Sequence, residues 1–180
     1  LTQTVASLEK LGVSAQSSSK TIGELTTTFG MSAAEAEQTS KDFVALAHAT
    51  GLPAETIMSE FAGASKQLAQ FGKQAPKVFT DAVKASAAFN MSIQETLGFV
   101  NQFDTFDKAA SSAAALNAIL RTSAIDSTAL VRATAEGPVA VQRELVGAFE
   151  RAGKSFDELS VFEKKSLASR LGISEDILAK

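Results

Sequence analysis

A glycine or asparagine, an apolar residue, a serine or proline and then acidic or amide residues recur along this chain. That order dictates where helices stop and start. It appears as Gly12-Val13-Ser14-Ala15-Gln16, Gly30-Met31-Ser32-Ala33-Ala34-Glu35, Gly51-Leu52-Pro53-Ala54-Glu55 and Asn90-Met91-Ser92-Ile93-Gln94-Glu95. Near the end come the related Gly153-Lys154-Ser155-Phe156-Asp157-Glu158 and Gly172-Ile173-Ser174-Glu175-Asp176. Gly or Asn takes the left-handed conformation that closes a preceding helix. The apolar residue packs as a staple on the next turn, and the serine accepts a bond from an orphan N–H of the new helix. Ser32/Glu35, Ser92/Glu95 and Ser155/Glu158 have the spacing of full capping boxes. Pro53 and Pro76 fit a first helical turn, where a missing N–H costs nothing.

The signals are regularly spaced. Gly12 to Gly51 is 39 residues and Gly51 to Asn90 is 39 again, with Gly30 and Gly72 near the middle of each interval. This spacing predicts helical-hairpin units of about 39 residues, a period typical of stacked helix pairs. Ordinary capping that happens to be regular would give the same spacing, and side-chain identity between the units is poor. Between the signals, apolar residues step by three and four. Ile57, Phe61, Ala64, Leu68 and Phe71 form one stripe, and Ala15, Ser18, Ile22, Leu25 and Phe29 another. Phe79, Val83 and Ser86 continue the theme, and Leu145, Phe149 and Ala152 mark a late helix after a break at Gly137-Pro138. No sustained period-two run of β-branched residues is present. The expectation is an all-α fold of about ten short-to-medium helices.

The character of the chain changes near residues 104 to 126. Asp104-Thr105-Phe106-Asp107 reads as a turn capping a new helix. The small side chains from Ala109 to Ala115 permit close helix approach. Arg121 to Ser127 reads as a loop ending in a cap at Asp126 or Ser127. The expected division is a helical-hairpin region over 1–107 and a second helical subdomain over 108–180, or one continuous domain.

Composition narrows the function. The 180 residues are 45% hydrophobic and 21% charged, a globular balance. Seventeen basic side chains against twenty acidic ones leave a net charge of −3, too weak to point to nucleic acid or an anionic membrane. Without cysteine there are no disulfides or thiolate metal sites. All twelve aromatics are Phe, so the rings read as core rather than as stacking platforms. Ala109 to Leu120 is the most apolar stretch, too short to span a bilayer and interrupted by Ser111, Ser112 and Asn117. The chain starts at Leu1 without a leader-like segment, and is expected to be a piece of a longer protein.

No reactive constellation emerges. His48 is the single histidine, on an apolar-patterned helix near its C-terminus, where its charge suits the helix dipole. One His and no Cys rule out the common zinc sets. No evenly spaced oxygen ligands surround a Gly as a calcium loop requires. Asp104 and Asp107 form an i, i+3 pair of the kind that can run glycosidase chemistry, but they read more simply as turn and cap. Glu158 completes a capping box, and Glu163 reads as part of a solvated face. The glycines are isolated at helix ends, so no phosphate loop is present. Lys164-Lys165 with Arg170 lacks the aromatic interleaving of a nucleic-acid site. The expectation is a non-enzymatic chain with no catalytic, cofactor or metal residues.

Three stretches carry a family resemblance. One runs from Gly30-Met31-Ser32-Ala33-Ala34-Glu35-Ala36-Glu37 through Ala49-Thr50-Gly51-Leu52-Pro53-Ala54-Glu55. Another runs from Phe103-Asp104-Thr105-Phe106-Asp107 into Leu116-Asn117-Ala118-Ile119-Leu120. The third is Ser155 to Ala168 followed by Gly172-Ile173-Ser174. In this order they resemble a helical region of the tail tape measure proteins of tailed bacteriophages, particularly contractile-tailed ones. The resemblance covers most of the chain from about Gly12. It implies a structural virion segment involved in tail assembly and length determination. The implied partners are tail tube, baseplate hub or tail-tip proteins and tail assembly chaperones. It leaves a homo-oligomer open and implies neither nucleic acid nor membrane contact from this segment. The implied place is the phage tail, with the host cytoplasm during assembly. A length-setting stretch would be one long helix, whereas caps here recur every 18 to 21 residues. The segment therefore reads as a compact globular part of such a protein. A helical-repeat protein-binding module unrelated to phage tails is the alternative.

Overall fold

The computed structural model describes residues 2–89 and 91–172. Among the described residues the chain is all helical and has no strand. The helices are α1 (Thr2–Glu9), α2 (Ala15–Thr27), α3 (Ala33–Thr50), α4 (Ala54–Gly63), α5 (Ser65–Leu68), α6 (Ala75–Phe89), α7 (Ile93–Val100), α8 (Phe106–Leu120), α9 (Ser127–Glu136), α10 (Pro138–Arg151) and α11 (Val161–Leu171), with 3-10 segments at Ala69–Gln74 and Phe156–Glu158. This agrees with the expected all-α fold of about ten helices.

Local chemistry explains most boundaries. Gly12, Gly30, Gly51, Gly153 and Gly172 all have positive φ and close the turns before or after helices. Ser14 caps α2, Ser32 caps α3 and Ser92 caps α7, and the boxes Ser32/Glu35 and Ser92/Glu95 are both formed. Thr105 caps α8 and Asp126 caps α9. Pro138 occupies the start of α10 directly after Gly137, as the sequence break there indicated. Asn90 and the segment Ile173 to Asp176 lie outside the described residues.

The chain divides into two compact units, Leu1–Lys84 and Ala85–Lys180. The sequence suggested a division at 107/108, or one continuous domain. Phe103 explains the difference: it is fully buried in one apolar cluster with Ala109, Leu116 and Leu145, so the turn before α8 is part of the second core.

In the first unit α2, α3 and α4 pack against one another and α1 packs on α2. Four phenyl rings form its centre. Phe61 lies 4.8 Å from Phe43, 5.2 Å from Phe79 and 5.5 Å from Phe29, in tilted or edge-on arrangements. Two buried hydroxyls turn to backbone. Buried Thr21 donates to Met58 O at 3.1 Å and buried Ser40 to Ala36 O at 2.8 Å. The stripe from Ile57 to Phe71 is not one helix. Ala64 leaves helical geometry at φ −89, ψ 1, and Gly72 turns the chain at φ 52, ψ −130. Gly63 and Gly72 weaken the helix there. The breaks keep Ile57, Phe61, Ala64 and Leu68 buried, while Phe71 is only half-buried.

In the second unit α8 packs against α9 and α11, α9 and α10 pair, and α10 touches α7. Ala109 and Ala113 face this core, as expected of small residues that let helices approach closely. The loop from Arg121 to Asp126 is pinned by Asn117, whose side-chain amide donates to Ile125 O at 2.9 Å and accepts from Ile125 N at 3.0 Å.

Candidate functional site

The acidic residues weighed as chemistry are held in local structural roles. Asp104 accepts from Lys108 Nζ at 2.8 Å, and the same ammonium donates to Asn101 O at 3.1 Å. Asp107 lies exposed in the first turn of α8, where its charge suits the helix dipole. His48 is exposed in the last turn of α3. Arg170 and Lys165 are exposed on α11.

One expectation near the end of the chain is corrected and another is extended. Ser155 and Glu158 do not start a regular helix. Glu158 accepts from Ser155 N at 3.3 Å, but Ser155 Oγ accepts from Asp157 N, and the segment is a single 3-10 turn. The capping box that starts α11 is Ser160/Glu163. Glu163 accepts from Ser160 N at 2.8 Å and from Ser160 Oγ at 2.7 Å, while Ser160 Oγ accepts from Glu163 N at 3.3 Å. Glu163 thus caps α11 while remaining on its solvated face. The serine three places before it was the available signal.

A further carboxylate works across helices. Glu55, at the start of α4, accepts from Ser14 N at 2.7 Å, Ser14 Oγ at 3.0 Å and the Ser17 hydroxyl. It therefore ties its own helix to the N-terminus of α2. The Ser17 and Ser14 bonds hold its carboxyl below the usual carboxylate range. Glu35, Glu95 and Glu163 are lowered in the same way by the serines they cap. Glu37 is lowered chiefly by Lys41 and Thr4, at 2.8 and 2.9 Å.

The second unit also carries an open groove of about 400 Å³ between the C-terminal end of α8 and the start of α11. Ala118, Ile119 and Phe162 supply apolar walls, and Arg121, Ser160, Glu163 and Ser166 supply polar ones. Phe162 is 78% exposed and its neighbour Val161 68%. Arg121, just past α8, is the one described non-glycine residue with positive φ, at φ 51 and ψ 48. Its guanidinium forms no ion pair among the described residues, though its charge, with that of Lys154, helps to lower Glu163. The sequence reading missed Arg121 and Phe162. Their signals were a helix end without the usual glycine and two apolar residues inside the first turn of a capped helix.

Among the described residues no group of three or more His, Asp or Glu could hold a metal ion, and no helix is long and apolar enough to cross a membrane. The architecture is that of an all-α protein of short capped helices with an open, partly apolar groove on its second unit. No family model, no curated protein and no solved structure matches the chain.

Proposed function

We propose that the chain is a compact structural module of a phage tail tape measure protein, acting in tail assembly and length determination through protein contacts rather than catalysis. The observation that carries this reading is the order and spacing of Gly30 to Glu55, Phe103 to Leu120 and Ser155 to Ala168, which resemble that family. The use of Asp104, Glu158 and Glu163 as ion-pair and capping groups supports a role without chemistry. The longest described helix has 18 residues, about 27 Å at 1.5 Å per residue. Such helices suit a packed body, with the measuring length supplied by other parts of a longer protein. The partners are tail tube, baseplate hub or tail-tip proteins and assembly chaperones, in the virion and, during assembly, in the host cytoplasm.

Mass spectrometry of purified tails and in-frame removal of this segment from its parent test the reading. The expected results are peptides of the chain in intact particles, and tails that fail to assemble or change length on removal. Particles without the chain, or unaltered tails after its removal, overturn it. A cell-wall hydrolysis assay adds an independent check. Activity in the wild type that is lost in Asp104→Asn, Glu158→Gln or Glu163→Gln would contradict the non-enzymatic reading.

The groove favours a second reading, a helical-repeat protein-binding module outside any phage tail. Neighbouring genes separate the two: tail tube and baseplate genes beside this one decide for the first.

A further inference from the structure

No further inference is drawn: the strongest candidate, the open groove between the C-terminal end of α8 and the start of α11 with exposed Phe162 on its wall, is an unpartnered, partly apolar face, and nothing in the structure shows what covers it.

Discussion

Phe61 touches three other rings and has no exposed surface. Removing it leaves a cavity bounded by Phe29, Phe43 and Phe79, side chains that three separate helices or their ends hold in place. Phe61→Ala is expected to destabilise the first unit by about 3–5 kcal/mol in chemical denaturation. A loss under about 1 kcal/mol would mean that the ring is not core. Arg121 illustrates the opposite balance. Arg121→Gly removes an L-residue from left-handed backbone and is expected to raise stability by about 1 kcal/mol, read as a higher thermal midpoint. The two residues differ in how they could be read from sequence. Phe61 belongs to a three-and-four stripe and declares its burial, whereas Arg121 is marked only by the absence of glycine at a helix end.

At the scale of elements, caps decide where helices begin, and their effect is confined to one turn. Ser32, Ser92 and Ser160 each accept from the N–H three residues on, and each receives a glutamate back on its own N–H. Ser155 makes only part of this pattern, and it precedes a 3-10 turn. Ser160→Ala is therefore expected to cost about 1 kcal/mol, and Ser155→Ala less than about half that. Equal losses in thermal unfolding would place the start of the last helix wrongly. Both serines have a glutamate three residues later, so the motif alone does not rank them. The packing of the residues downstream separates them. Leu167 and Leu171, on the helix begun at Ser160, bury against the second core, and this stabilises that helix.

At the scale of the whole molecule, acid stability is shared by both units. Glu35, Glu37, Glu55, Glu95 and Glu163 all have folded pKa values lowered from 4.5 by hydrogen bonds or a nearby lysine. Each binds its proton less tightly in the folded chain than in the unfolded one. The stability these groups contribute is complete above the unfolded value near 4.5 and is lost as pH falls through the lowered folded values. The thermal midpoint should be flat from neutral pH to about 5 and then decline. Glu55→Gln combined with Glu163→Gln should lower the midpoint at neutral pH and make the acid decline shallower. A decline equal to that of the wild type would show that these two carboxylates do not carry it.

Residues close in sequence determined the helical class and most boundaries. Left-handed glycines, serine caps and apolar spacing act within about one turn, so Gly30-Met31-Ser32 or Gly137-Pro138 can be read where they stand. Contacts between distant residues decided the rest. The tie from Glu55 to Ser14 and Ser17 and the burial of Phe103 with the second core depend on partners that lie far off in sequence. The groove belongs to this group too, since α8 and α11 are separated by two other helices in sequence and meet only when the second core packs. Local hydrogen bonds set the ends of each helix. Burial of apolar surface set which helices meet, and that energy is realised only once the chain has folded.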